Sequence, residues 1–288
     1  MIHALAVSLG SAVVVAAVLS LATIGFTLRY AVSGVFDLTY GALMGLAMLI
    51  AYICASAGIN LWAAMILAGG CIAVASVLLE RLIVRPMLSR GATSWVMMII
   101  TFALGLAIEA SVLATWGPQF TSYALVGRTY HFGSVVITTD QLWIVLIAAI
   151  GTLSIGLLLE FTQWGRAMRG TAANPGLAES CGIRVTTVRT LTWLLSGLLC
   201  GVGGVLIAIQ IGSFMYTSWE QFFPLVIAAA IVGGVGRAGG AFAGALLIGL
   251  VTALASALLS SAYEDVIALG VLILVLFIRP RGLFVRAV

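Results

Sequence analysis

Apolar residues run in blocks of about twenty along nearly the whole chain, separated by short polar passages. A block of that length crosses the ~30 Å hydrocarbon core as a helix. Sustained strand-like alternation is absent, so helices rather than a barrel are expected to satisfy the backbone in lipid. The blocks fall at residues 4–28, 33–57, 60–79, 94–115, 141–161, 190–211, 221–236, 240–260 and 264–278. They predict an all-α polytopic membrane protein with about nine transmembrane or re-entrant helices, forming one domain over residues 1–288. No Lys or Arg precedes the first block, unlike a secretory signal, so it reads as a retained span.

Alternate crossing collects Arg29, Arg81, Arg85, Arg90, Arg166, Arg169, Arg184, Arg189, Arg237, Arg279, Arg281 and Arg286 on one side and leaves Arg128 on the other. The positive-inside rule makes the first side cytoplasmic, with the N-terminus outside and the C-terminus inside. The outside loop, about residues 116–140, ends in the alternating stretch Tyr130-His-Phe-Gly-Ser-Val-Val-Ile-Thr-Thr139, which suits a small hairpin. Such a loop either meets an extracellular partner or simply connects two spans.

One passage, residues 163–189, is polar, carries several arginines and has the start and stop signals of a short helix. Asn174 suits the N-cap, Pro175 the first helical position and Gly182 the residue past the end. About two turns do not hold alone in water, so this helix must pack against something. Leu177, Ala178 and Cys181 form its expected apolar side. Either it lies on lipid headgroups or it is a knob for a cytoplasmic partner.

Two passages depart from plain apolar helix. In the first, Asp37 follows Arg29 by roughly 12 Å of helical rise and is flanked by Gly34, Gly41 and Gly45. An intramembrane carboxylate costs several kcal/mol unless it faces protein or water, so Asp37 either serves a path or bonds a neighbouring helix. In the second, residues 233–240 form a glycine-rich turn after a span that Pro224 can start. Gly240-x-x-x-Gly244 and Gly197-x-x-x-Gly201 read as smooth packing faces. Glu109 lies near the outer end of its span and faces either a path or the outer boundary; Glu160 reads as a local partner of Arg166, and Gln210, Trp219 and Glu220 flank an outside turn.

Composition sharpens this picture. The chain is 63% hydrophobic and 8% charged, with mean hydropathy +1.24, whereas soluble domains carry about 25% charged residues. All its basic residues are arginine, which excludes a standard lysine-bearing phosphate loop; any ATP hydrolysis must reside on another polypeptide. The net charge of +4 belongs to cytoplasmic loops and implies no nucleic acid. Cys54, Cys71, Cys181 and Cys200 lack C-x-x-C spacing and read as small buried hydrophobes. The two histidines, His3 and His131, have no partners at metal-ligand spacing, and no nucleophile elbow occurs, so neither a metal nor a catalytic site is expected.

Three passages resemble one family: Val35-Phe-Asp-Leu-Thr-Tyr-Gly41, Arg169-Gly-Thr-Ala-Ala-Asn-Pro-Gly-Leu-Ala-Glu-Ser-Cys-Gly-Ile183, and Val232-Gly-Gly-Val-Gly-Arg-Ala-Gly-Gly-Ala-Phe-Ala-Gly244. The ending Phe277-Ile-Arg-Pro-Arg-Gly-Leu283 is similar too. In order and spacing the chain resembles permease subunits of branched-chain amino-acid ABC importers, a superfamily shared with ribose-type sugar permeases. The resemblance implies alternating access in a prokaryotic plasma (inner) membrane. It implies a second permease, identical or related, two cytoplasmic ATPase subunits carrying ATP and Mg, and an extracytoplasmic substrate-binding protein, with no cofactor in this chain. In the loop that would dock the ATPase, Ala172, Asn174, Ala178, Gly182 and Ile183 match the family pattern, with Glu179 and Arg184 available for charge contacts. Asp37, Thr39, Tyr40, Gly41 and Glu109 are the candidates for the translocation path. The Asp37-Leu-Thr-Tyr-Gly41 flavour leans toward sugar permeases; the loop and the Arg279-Pro-Arg-Gly282 ending pull toward amino acids. Sugars, urea or amides are alternative substrates, and an ATP-independent channel or secondary transporter is the alternative class.

Overall fold

The computed structural model describes residues 2–123, 129–132, 135–234, 236, 238–258, 264–279 and 282–283. Almost all are helical. In chain order the helices are α1 (Ile2–Ser33), α2 (Thr39–Ser56), α3 (Leu61–Leu79), α4 (Arg85–Ser89), α5 (Ser94–Trp116), α6 (Thr139–Phe161), α7 (Gln163–Ala173), α8 (Pro175–Ser180), α9 (Val185–Ile211), α10 (Trp219–Gly233), α11 (Ala238–Leu258) and α12 (Glu264–Ile278). A π-helical turn, Glu80–Val84, joins α3 to α4. Among the described residues, six helical segments are long and apolar enough to cross a membrane, and shorter apolar helices accompany them. The chain is a polytopic helical membrane protein.

Burial ranks the helices from centre to edge. The span within α1 is 83% buried, against 22% for α5 and 17% for α6. Helix α1 runs between α11, α9, α6 and α10, and α5 and α6 turn most of their apolar surface outward, as helices bordering lipid do. Small residues bring neighbours close. Gly197 and Gly201 of α9 lie against Ala73, Ser76 and Gly69 of α3, and Gly240 and Gly244 of α11 lie against Gly233 and Ala229 of α10. Both expected packing faces are therefore used.

The bundle has two distinct ends. At one, α7 sits beside the last turns of α1 and the start of α9, α8 lies against α7 and α9, and the π-turn faces α9 across a cleft; Gly236 approaches Ala31, and the Leu283 N–H donates to the Val232 carbonyl at 2.9 Å. At the other end β2 (Thr129–Phe132) and β3 (Val135–Thr138) form the expected hairpin, while β1 (Thr121–Ser122) pairs with β4 (Ser213–Phe214). That second pairing is invisible in local sequence because Thr121 and its register partner Phe214 stand 93 positions apart.

Several expectations change. The second block does not run unbroken from residue 33: α1 ends at Ser33, Gly34 takes φ +68, and α2 begins only at Thr39. A left-handed φ suits glycine because it has no Cβ. Arg29 is not a loop charge; it lies inside α1 and is 1% exposed. Pro224 sits within α10 rather than starting it. Glu160 makes no ion pair with Arg166; among the described residues the ion pair is Arg29–Asp37. Cys200 alone of the four cysteines is buried, while Cys71 and Cys181 are exposed. The turn at 233–240 lies partly outside the described residues, as do Arg128 and Arg237.

Candidate functional site

Helix α8 is built as its residues dictate. The Asn174 side chain accepts from the Leu177 N–H at 3.0 Å, and Pro175 occupies the first helical position. At the far end Gly182 takes φ +82; its N–H donates to the Glu179 carbonyl at 2.9 Å, and the Ile183 N–H to the Ala178 carbonyl at 3.0 Å. These caps hold six residues that would otherwise fray. Only Ala178 is buried; Leu177 is 63% exposed and Cys181 is exposed too, which corrects the expected three-residue apolar side. Ala172, Glu179 and Arg184 are also exposed and Ile183 half-buried. The helix therefore presents most of its circumference outward.

The sequence reading missed α7, which gives α8 its seat. Thr162 caps it, accepting from the Gly165 N–H at 3.0 Å, and Gly165 lies directly on the backbone of Leu158 and Leu159 at the end of α6. Arg169 donates to the Leu159 carbonyl. Met168, 1% exposed, packs with Leu28 and Val32 of α1 and Val188 of α9, and Ile183 joins them. The alternation of Trp164, Met168 and Thr171 with arginines was the available signal, masked because the whole passage reads as polar. Helices α7 and α8 thus rest on the ends of α1, α6 and α9 together.

One residue beyond that patch lies the buried polar centre. The Arg29 guanidinium pairs with Asp37, donates through Nε to Ser196 Oγ of α9 at 3.0 Å and through Nη2 to Ser76 Oγ of α3 at 2.9 Å. Its carbon stands 4.2 Å from the Trp193 ring centroid and 5.1 Å from that of Tyr40, both within cation–π reach. Asp37 uses its other oxygen to accept the Thr39 N–H at 2.9 Å, a local turn that starts α2. Thr101 of α5 holds the same break: it accepts from the Leu38 N–H at 3.2 Å, and its carbonyl accepts from Thr39 Oγ1 at 2.9 Å. The break between α1 and α2 is thus tied to α3, α5 and α9 by buried polar contacts. Arg29 and Thr101 were not singled out from sequence; an arginine eight residues before an aspartate, with Gly34 between them, was the signal.

The path candidates divide. Asp37, Thr39 and Tyr40 are buried in this centre, at 1%, 2% and 0% exposure. Gly41 lies beneath the Trp219 ring, where a Cβ would collide. Glu109 stands apart, near the other end of α5. Its carboxyl lies close enough to Glu220 at the start of α10, and to Tyr216 of the Tyr216–Ser218 turn, for the groups to feel one another electrostatically. The fold brings these acids together from positions 111 residues apart. The buried Glu80 of the π-turn, accepting from Thr190 Oγ1 at 3.0 Å, was overlooked entirely. Among the described residues no group of acids, histidines or cysteines is arranged to hold a metal.

Fold and site define a multi-pass helical membrane protein with a capped surface helix seated, through α7, on the ends of three spans, one residue along α1 from a buried ion pair. A family model described as "Branched-chain amino acid transport system / permease component" matches residues 8–276. The chain belongs to this family of transport permeases. It is 28% identical to the high-affinity branched-chain amino acid transport system permease protein LivH of Escherichia coli (strain K12), over 93% of this chain and 91% of that one. The Pseudomonas aeruginosa counterpart, BraD, is 27% identical over 93% and 91%. The ribose import permease protein RbsC of Bacillus subtilis (strain 168) is 28% identical over 55% of this chain and 49% of its own. Among solved structures, PsaBC from Streptococcus pneumoniae in complex with Fab has a similar fold, with a TM-score of 0.55 at 14% identity, covering 95% of this chain and 92% of that one. These relatives are permease proteins.

Proposed function

We propose that the chain is the membrane-spanning subunit of an ATP-driven importer that moves branched-chain or related amino acids across a prokaryotic inner membrane by alternating access. In this reading the arginine-rich end, where α7 and α8 sit, is cytoplasmic. A separate ATPase docks on α8 through Ala172, Asn174, Glu179, Gly182 and Arg184, with Ala178 and Ile183 on the bundle side. Two such ATPase subunits bind ATP and Mg, a second permease completes the path, and an extracytoplasmic binding protein delivers substrate.

The observation that carries the reading is the seating of α8. A short helix capped at both ends moves as a unit, and its support touches α1, α6 and α9 at once. A push on α8 therefore reaches the Arg29–Asp37 centre through α1 and α9, and from there the α1–α2 break and Thr101 of α5. Helix α5 carries Glu109 two turns farther on, at the mouth cluster with Glu220. Glu109 lies on the exposed part of the proposed path, and Asp37, Thr39, Tyr40 and Gly41 form the wall behind it.

The test is uptake into proteoliposomes holding this chain with its ATPase and binding protein, using leucine, isoleucine and valine as substrates. Uptake is expected only with hydrolysable ATP. Equal uptake by this chain alone, without nucleotide, would favour the channel or secondary-transporter class and end the proposal. The similarity to a ribose permease keeps sugars as a second substrate reading, and urea and amides belong in the same panel. Binding of each class to the partner binding protein discriminates among them.

A further inference from the structure

We propose that the chain holds one anionic diacyl phospholipid in a groove along the outer face of α9, between α3 and α6. Two observations meet there. At the α7–α8 end, Arg81 and Arg85 face Thr186 and Thr187 on the first turn of α9 across a cleft of about 280 Å³. Both arginines are exposed, one helical turn apart, and neither makes an ion pair among the described residues. No side chain caps that first turn of α9. Thr190, which also lines the cleft, already donates to Glu80 behind it, so Thr186 and Thr187 are the hydroxyls left to donate outward. Guanidinium pairs, hydroxyls and open helix N–H groups together suit a phosphate.

The second observation is that an apolar groove begins one helical turn farther along α9. Leu194 lines the polar cleft, and one turn on, Leu198 and then Val202 floor a groove of about 560 Å³. Met65 of α3 and Ile150 of α6 wall it, and Trp62 and Trp143, with ring centroids 5.8 Å apart, stand at its far end. From Thr187 to Val202 the helix rises about 22 Å. One bilayer leaflet with its headgroup region measures about the same. Charge at one end and apolar walls beyond it fit a phospholipid whose acyl chains reach the Leu198–Val202 part of the groove, the groove itself running on to Trp62, about 28 Å of helical rise from Arg81. A free phosphate would use only the first part, and a peptide would leave its backbone unsatisfied in the second.

The experiment is native mass spectrometry of the full-length chain purified in mild detergent, with phosphatidylglycerol or phosphatidylcholine of identical acyl chains added back. The wild type is expected to keep one phosphatidylglycerol in preference to phosphatidylcholine. R81A/R85A should weaken retention about a hundredfold, because each of the two lost charge-assisted contacts is worth about tenfold or more. Leu194→Trp, at a site already 38% exposed, should block the groove and release the lipid with unchanged elution of the protein. Retention indifferent to headgroup and to both variants would mean annular lipid and overturn the proposal. Inorganic phosphate binding at the arginines without any retained lipid would overturn it as well. A lipid-free dimer that Leu194→Trp dissociates would assign the groove to a second copy of the chain instead.

Discussion

Removing the Asp37 carboxylate tests the buried centre most directly. Asp37→Ala leaves the Arg29 charge in a site 1% exposed, where Ser196, Ser76 and two aromatic rings donate no compensating anion. Stranding one partner of a buried ion pair costs about 3–5 kcal/mol. The Thr39 N–H also loses its acceptor, adding about 1–3 kcal/mol. The reverse variant, Arg29→Met, strands the carboxylate and unties Ser196 and Ser76. The double variant Arg29→Met/Asp37→Leu removes both charges and is expected to lie within about 2 kcal/mol of wild type, since apolar replacements of buried pairs are often near neutral. The two single losses are thus strongly non-additive, by about 3 kcal/mol or more. Thermal unfolding in detergent, followed by size exclusion of each variant, reads the ranking. Additive losses, or single variants as stable as wild type, would refute the argument that the pair is a mutually dependent buried unit. The double variant carries a further expectation: with stability recovered but the tie between α1, α3 and α9 gone, ATP-driven uptake should fall more than assembly does.

Other outcomes follow from the same contacts. Gly182→Pro should abolish co-purification with an ATPase while the chain still inserts, because proline cannot reach φ +82 and has no N–H to give Glu179; recovery of the intact complex would reject α8 as its dock. Asn174→Ala should weaken the same complex more mildly, the cap being worth about 1 kcal/mol, read as the concentration needed for half-maximal assembly. Tyr123, outside the spans, donates to the Met48 carbonyl at 2.9 Å, and burial raises its pKa above the usual 10.0. Its neutral form is favoured by folding, so its contribution is complete below the unfolded pKa and is lost as pH rises through the folded one. Alkaline titration of unfolding should therefore show a steeper loss above about pH 10 for wild type than for Tyr123→Phe.

Much of the chain was legible because lipid imposes simple rules. Twenty apolar residues must be helix, and the order of spans and arginines marks two ends, so the polytopic class follows from local composition. Helix α8 was equally plain: Asn174, Pro175 and Gly182 act on backbone groups within a few residues, and cap chemistry needs no tertiary partner. The glycine pairs of α9 and α11 announced close packing, though not which helices they would meet.

What the tertiary structure decided is everything that depends on distant residues meeting. Arg29 looked like a boundary charge because nothing nearby reveals that Ser76, Ser196 and Trp193 converge on it. Glu109 looked solitary until the start of α10 brought Glu220 beside it. Leu177 looked like a packing residue, but a helix six residues long has room for one buried contact, and the seat formed by α7 gave it to Ala178. Local hydrogen bonding is written along the chain; burial of charge is settled only by long-range packing, since a desolvated group survives where partners from several helices reach it together.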